Sequence, residues 1–154
     1  MDRDEIYMRK ALELAELAAG QGEVPVGAIV VKRSTGEIVG RGFNRREYGR
    51  SPITHAEIVA IETASRKLGG WRLIDCELYV TLEPCPMCAG AIINSRIQRV
   101  VFGAADPKAG SCGSVVNLFE LPFNHKPEFI GGALERECSQ LLSDFFKKLR
   151  ESKK

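Results

Sequence analysis

A chain of 154 residues with 44% hydrophobic and 27% charged residues has the composition of one globular domain, which we expect to span residues 1–154. Its net charge of only +2 excludes a strongly basic nucleic-acid binder, so any contact with nucleic acid must come from a local patch. The charged N-terminus predicts no secretory signal, and no apolar run approaches the roughly 20 residues that span a bilayer. Five cysteines, an odd number, favour a reducing, cytoplasmic location.

The N-terminal part of the chain shows a helix pattern followed by two strand patterns. Apolar residues at helical spacing over residues 8–19 predict a helix that stops at Gly20. The β-branched run at residues 24–32 predicts a buried strand, and residues 37–40, after a Ser-Thr-Gly turn, predict its hairpin partner.

The rest of the chain continues this alternation of helices and strands. Thr54 is predicted to cap a helix that runs to about Leu68, with Glu57 at the third helical position. The later elements are a strand at 78–81, a helix at 85–94, a strand at 100–103, a loop at 106–117 and a helix at 134–149. The pattern predicts one α/β domain whose sheet lies between helix layers.

Two short motifs predict a metal site. His55-Ala56-Glu57 and Pro84-Cys85-Pro86-Met87-Cys88 supply one imidazole and two thiols, which are good zinc ligands. Both motifs lie at helix starts, where unpaired N–H groups stabilise a thiolate. Three protein ligands leave one position of a tetrahedral zinc ion open, which is typical of a catalytic site. Glu57 is close enough in sequence to manage the proton of a water held there.

Other interpretations of the same residues remain open. The C-x-x-C spacing alone also fits a redox pair or half of a structural zinc site. A four-cysteine site would need a second close pair, but the other cysteines are scattered singly, and we expect Cys76, Cys112 and Cys138 to be core thiols. His125 is the one remaining histidine that would close the site as a fourth ligand.

Longer segments around these motifs resemble the bacterial tRNA-specific adenosine deaminases. The similar segments are residues 23–28, 55–58, 78–91, 100–104, 123–125 and 141–146. The resemblance therefore runs nearly end to end, whereas the zinc motifs alone specify only the wider cytidine deaminase-like superfamily.

The resemblance implies a fold, a cofactor and a reaction. The implied fold is a three-layer α/β/α domain with a central five-stranded mixed sheet, in a homodimer that binds one zinc ion per subunit through His55, Cys85 and Cys88. The implied reaction is the hydrolytic conversion of adenosine to inosine at the wobble position of a tRNA anticodon, usually that of an arginine tRNA. A zinc-activated hydroxide attacks C6 of adenine, and Glu57 is the proton shuttle.

The resemblance also implies contacts with the adenine base. Val24 and Asn44 are expected to line its pocket, and the backbone at Ala56 and Glu83 is expected to contact the base edge. The unpaired anticodon loop lets this base leave its stack at low cost.

Contacts with the rest of the anticodon stem–loop are implied at six further residues. In the 106–117 loop, Asp106 is expected to accept a hydrogen bond from a 2′-hydroxyl and Lys108 to pair with a phosphate. The other four contacts are Ser111, Asn124, Phe145 and Arg150. The tail that carries the last two interleaves aromatic and basic residues, as RNA-binding surfaces do, although cations there also complement the helix dipole.

Two other functions use the same motifs. A deaminase of a free base or nucleotide, such as guanine, cytidine or deoxycytidylate, would have the same zinc core. A noncatalytic zinc module that binds RNA is disfavoured, because Glu57 and an open coordination position would have no purpose in it.

Overall fold

The computed structural model describes residues 2–47 and 49–152. Its elements, in chain order, are α1 (Arg3–Gly20), β1 (Gly27–Lys32), β2 (Ile38–Phe43), α2 (Ala56–Leu68), β3 (Cys76–Leu82), α3 (Pro86–Asn94), β4 (Arg99–Ala104), a 3-10 helix (Leu118–Glu120), β5 (Glu128–Ile130) and α4 (Glu135–Ser152). None of the helices in these described ranges is both long and apolar enough to cross a membrane.

The five strands form one mixed sheet in the order β2-β1-β3-β4-β5. Strand β1 is antiparallel to both β2 and β3, whereas β3, β4 and β5 run parallel to one another. The predicted central five-stranded mixed sheet is therefore confirmed. Because β3 and β4 are parallel, their carboxyl ends meet at one edge, where the chain continues into Cys85 and into the 106–117 loop.

Helices cover both faces of the sheet and divide the core in two. On one face, residues of α2 and α3 such as Ala60 and Ile92 pack with Leu78 and Val80 of β3. On the other face, α1 and α4 pack around Tyr79. The alternation along β3 follows from the two-residue period of a strand, and it confirms the three-layer α/β/α arrangement.

Strand β2 has two glycines because α2 lies directly against it. A Cβ atom at Gly42 would lie 2.3 Å from the carbonyl oxygen of Ala56, and one at Gly40 would lie 2.2 Å from that of Ala60. Such distances leave no room for a side chain. The close approach fixes the beginning of α2, which carries His55 and Glu57, relative to the sheet.

Helix α2 does not begin as the sequence pattern predicts. The N-cap residue is His55 rather than Thr54, and Glu57 is the second helical residue rather than the third. The side chain of His55 makes no cap hydrogen bond. Instead, Oδ1 of Asn44, just beyond β2, accepts a bond of 2.9 Å from the N–H of Ala56. This distant cap leaves the imidazole available as a ligand.

The start of β1 and the existence of β5 also differ from the sequence pattern. Strand β1 begins at Gly27, not at Val24, because a tight turn around Pro25 joins the N–H of Val26 to the carbonyl oxygen of Val24 at 2.8 Å. The sequence pattern did not predict β5, which has only three residues and directly follows Pro127. Such a short strand has too few residues to show an alternation.

Candidate metal centre and active site

Three potential ligands converge where α2 and α3 begin. The Nδ1 atom of His55 lies 3.6 Å from Sγ of Cys85 and 3.5 Å from Sγ of Cys88. His55 is the N-cap of α2, and Cys85 is the N-cap of α3. Within the described residues, these three are the group of His, Cys, Asp and Glu side chains whose ligand atoms all lie within 4.8 Å of one another.

The geometry of this group fits a zinc ion. Tetrahedral zinc with Zn–S bonds of about 2.3 Å and a Zn–N bond of about 2.05 Å separates the nitrogen and sulfur ligands by about 3.6 Å. The two Nδ1–Sγ distances, 3.6 and 3.5 Å, agree with this spacing. One imidazole and two thiolates are ligands that zinc prefers, and three of them leave one coordination position for water.

The two thiols differ in their affinity for a proton. The hydrogen bond from Cys88 lowers the pKa of the Cys85 thiol to about 4. The same contact, together with burial, raises the pKa of Cys88. These shifts favour a thiolate at Cys85 and a thiol at Cys88, and zinc binding would displace the proton of Cys88 because a metal-bound cysteine is a thiolate.

Glu57 is a buried carboxyl group beside the three ligands. The residue is 4% exposed, and burial raises the pKa of its side chain to about 7. It lies within the first turn of α2 and lines the same cavity as His55 and Cys85. A carboxyl group that is neither a ligand in this group nor exposed to bulk water is placed to exchange a proton with a molecule in the cavity.

The cavity above the ligands has a volume of about 200 Å³. Its wall contains three of the four sequence-predicted base contacts, Val24, Asn44 and Glu83, together with the predicted ribose contact Asp106. Because Oδ1 of Asn44 is fixed by the N–H of Ala56, the amide nitrogen of Asn44 is the group left to bind a ligand. The predicted contact at Ala56 is affected by the same bond, since its N–H already has an acceptor.

Two larger depressions lie on the surface, and one of them adjoins this cavity. One, of about 340 Å³, shares Val24 and Asn44 with the cavity and extends to Phe145. The other, of about 440 Å³, is lined by Lys108 and Arg150, so the 106–117 loop and α4 both border it. Phe145, Lys108 and Arg150 thus line these surface depressions rather than the cavity itself.

Two sequence-predicted RNA contacts lie elsewhere. Ser111 is 0% exposed and its hydroxyl donates to the carbonyl oxygen of Ala109 at 3.2 Å, so it has no surface to offer to RNA in this conformation. Asn124 is exposed but is not among the residues that line the cavity. Asn124 lies far from the zinc motifs in sequence, so the sequence could not show that it lies outside the cavity.

Arg46 is a cavity residue that the sequence analysis did not single out. It lines both the cavity and the depression that extends to Phe145. A cation at this junction suits a phosphate of a nucleotide whose base enters the cavity. The sequence feature that could have identified Arg46 is its position two residues after Asn44, a predicted base contact.

The remaining cysteines and the second histidine are not part of the metal group. Cys76, Cys112 and Cys138 are buried and unpaired, as predicted for core thiols. His125 lies 2.7 Å through Nε2 from the carbonyl oxygen of Ile97 and is not in the ligand group. The site therefore has three protein ligands among the described residues.

Comparison with known proteins places this site in a family. Residues 1–104 match the model of the cytidine and deoxycytidylate deaminase zinc-binding region. A tRNA-specific adenosine deaminase of Bacillus subtilis (strain 168) is 51% identical over 155 residues, which cover 100% of this chain and 95% of that protein.

Solved structures show the same similarity in three dimensions. A structure from studies of A-to-I editing by tRNA:A34 deaminases at the wobble position of transfer RNA matches with a TM-score of 0.85 and 41% identity, covering 89% of this chain and 99% of the other. The guanine deaminase from Nitrosomonas europaea matches with a TM-score of 0.79 and 26% identity, covering 94% and 85%. The chain therefore belongs to the tRNA-specific adenosine deaminases, a family of zinc-dependent hydrolases within the cytidine deaminase superfamily.

Proposed function

We propose that this chain deaminates adenosine to inosine at the wobble position of a tRNA anticodon. The observation that carries the proposal is the buried carboxyl group of Glu57 beside a three-ligand zinc group at the base of a cavity. The similarity to tRNA-specific adenosine deaminases over the full chain supports the choice of substrate.

His55, Cys85 and Cys88 would hold the zinc ion. When bound, zinc supplies a Lewis acid that lowers the pKa of a coordinated water towards neutrality. Glu57 takes a proton from the attacking water and delivers it to N1 of adenine. The hydroxyl group formed at C6 then gives its proton to Glu57, which passes it to the amino group. The C6–N bond breaks, which releases ammonia and leaves the C6 carbonyl of inosine.

Asn44 and Val24 would select and orient the base. The amide nitrogen of Asn44 donates a hydrogen bond to a ring nitrogen of the purine, because its oxygen is held by the N–H of Ala56. Val24 forms an apolar wall of the cavity. The cavity accommodates a base rather than a whole nucleotide, since its volume of about 200 Å³ is below that of ordinary ligand pockets, roughly 300–1,000 Å³.

The surrounding surfaces would bind the rest of the anticodon loop. Asp106 uses Oδ1 to accept the N–H groups of Lys108 and Ala109, at 3.0 and 3.3 Å, so Oδ2 is left for a ribose 2′-hydroxyl. Lys108 and Arg150 border one depression and would pair with phosphates. Phe145 borders the other and offers a ring on which a neighbouring base can stack.

Four finer features complete the proposal: an arginine tRNA as the substrate, a single deaminase domain over residues 1–154, a cytoplasmic location and a homodimer. Five free cysteines suit a reducing compartment. Several large apolar side chains are more than half exposed and would gain from a partner surface: Ile53, Trp71, Ile74 and Val115. Light scattering after size-exclusion chromatography would test the dimer.

The substrate is tested by incubating the zinc-loaded protein with separate candidates and analysing the nucleosides released by digestion. The candidates are an arginine anticodon stem–loop with adenosine at the wobble position, the same stem–loop with guanosine there, free adenosine, free cytidine and free guanine. We expect inosine from the adenosine stem–loop alone. Ammonia and xanthine from free guanine would instead assign the activity of the guanine deaminase that shares the fold.

The role of Glu57 is tested with Glu57→Gln. This change keeps the size of the side chain but removes the group that carries the proton. We expect kcat to fall about 10²- to 10⁴-fold, the range for a lost general acid–base group, while zinc stays at one per chain. Substantial activity in this variant would exclude Glu57 as the proton shuttle.

A further inference from the structure

The carboxylate of Glu83 is buried and is bonded to a single loop. The residue is 2% exposed. Its Oε1 accepts from the N–H of Asp106 at 3.0 Å and from the hydroxyl of Ser114 at 2.5 Å. Its Oε2 accepts from the N–H groups of Cys112 and Ser114 at 2.9 and 3.1 Å. All four donors belong to the 106–117 loop, which therefore closes around this one carboxylate.

Backbone contacts hold the same two segments together. The N–H of Glu83 donates to the carbonyl oxygen of Ala104 at 2.8 Å, and the N–H of Ser111 donates to that of Pro84 at 2.9 Å. A Cβ atom at Gly110 would lie 2.4 Å from the carboxyl carbon of Glu83. The loop is thus packed onto the carboxylate with no space for a side chain between them.

This arrangement connects the metal centre with the surface around the cavity. Glu83 lies two residues before the zinc ligand Cys85. The loop that it holds places Asp106 and Ala109 in the cavity wall and Lys108 on the exposed surface beside it. Any displacement of the loop from Glu83 would move these residues relative to the zinc group.

We propose that the side chain of Glu83 is a positioning residue for RNA recognition, which holds the 106–117 loop so that Asp106 and Lys108 meet the ribose and phosphate of the target nucleotide. This inference rests on the proposed function. The role differs from the expected contact between the backbone of Glu83 and the base edge. The carboxylate acts only through the loop, because its four hydrogen bonds all go to loop donors.

Glu83→Gln tests the proposal with little change in size. A glutamine side chain has one oxygen, and its NH₂ group would face N–H or O–H donors, so about two of the four bonds are lost. We expect KM for the adenosine stem–loop to rise about tenfold or more, the equivalent of one to two such bonds, with kcat within about twofold. Zinc content should stay at that of the wild type.

Two further measurements separate positioning from a general loss of structure. Hydrogen exchange of the RNA-free zinc protein should accelerate at the amides of residues 106–114 and stay unchanged in the sheet. Glu83→Asp restores a carboxylate and should return KM towards the wild-type value. Glu37→Gln, which changes an exposed carboxylate paired with Lys67, is the matched control and should alter neither KM nor exchange in the loop.

The proposal is overturned if Glu83→Gln lowers kcat at constant KM, or if exchange in the loop is unchanged. Should that variant lose zinc or fail to fold, Ser114→Ala removes one donor from the exposed side while Glu83 stays intact. It should raise KM about threefold, and an unchanged KM would equally exclude positioning. If the wild type forms no inosine in the stem–loop, the proposed function fails, while the exchange rates still decide the role of Glu83.

Discussion

Replacing Glu77 by glutamine is expected to destabilise the fold, because its carboxylate holds three arginines at the amino-terminal end of the parallel strands. The side chain is fully buried, and Oε1 lies 2.8 Å from Arg3 and 3.1 Å from Arg33. Oε2 lies 2.8 Å from Arg99, its partner in the register of β3 and β4. The hydroxyl of Tyr79 is 3.0 Å from the same oxygen.

The expected magnitude follows from these contacts. Breaking a buried ion pair by removing one partner costs about 3–5 kcal/mol. The side chains of Arg3, Arg33 and Arg99 remain 46%, 37% and 22% exposed, so solvent weakens each interaction. We therefore expect Glu77→Gln to cost about 3 kcal/mol, the lower end of that range. For a chain of this size, the unfolding temperature should fall by about 6–12 °C.

The effect should depend on pH in a defined direction. Burial alone would raise the pKa of Glu77, but hydrogen bonds from Arg3, Arg99 and Tyr79 together hold it below its ordinary value. Since the pKa in the folded state lies below the unfolded value of about 4.3, the stabilisation is complete above that pH. It is lost as the pH falls through the folded pKa. The difference in free energy of unfolding between wild type and variant should thus be constant from about pH 8 to 5. It should disappear below about pH 4.

The assay is thermal and urea unfolding of the wild type and Glu77→Gln at a series of pH values. Because Glu77 is not one of the three zinc ligands, we expect both proteins to lose zinc alike in acid, so that their difference isolates Glu77. Glu37→Gln is again the control, because Glu37 and Lys67 are 54% and 52% exposed and such surface pairs contribute about 0–1 kcal/mol. An equal loss of stability in the two variants, or a gap that widens in acid, would refute the reasoning.

Three further changes test the zinc group, the distant cap and the helix–strand contact. Cys88→Ala removes a buried ligand, so elemental analysis should find well below one zinc per chain; full occupancy would contradict the three-ligand site. Asn44→Ala removes the bond to the N–H of Ala56, and urea unfolding should show a loss of about 1 kcal/mol, with a higher KM for the stem–loop. An unchanged KM would remove Asn44 from the base pocket. Gly42→Ala would force a Cβ atom to within 2.3 Å of a carbonyl oxygen and should lower stability by about 1–3 kcal/mol or more. Gly70→Ala is the control, because a Cβ atom there meets open space and should not lower stability in this way. Similar losses of stability in the two variants would contradict the close packing of α2 on β2.

The zinc group and the main elements were accessible from sequence because their signals are local. His55 and Glu57 are two residues apart, Cys85 and Cys88 three apart, and each pair lies where a helix begins. The β-branched and apolar runs likewise indicated β1, β3 and β4. Such patterns depend on neighbours in the chain, which a single sequence displays.

Features that depend on distant residues were not accessible in this way. The cap of α2 comes from Asn44 rather than Thr54, since the folded hairpin brings the end of β2 to the helix start. Glu77 bonds to Arg3, 74 residues away, and its role emerges only when the strands are paired. Ser111 has the polar side chain of a surface residue, but the packing of the 106–117 loop buries it.

The two halves of the metal group reside on separate helices, α2 and α3, that touch through a shared apolar layer containing Ala60, Ile61 and Ile92. We expect these aliphatic side chains to influence the distance between the imidazole at the start of α2 and the two sulfurs at the start of α3. Replacing one of these residues by a larger or smaller one would change the distances between the three ligand atoms without altering any ligand. Substitutions in this apolar layer are thus expected to change the affinity for zinc while the three ligand residues stay the same.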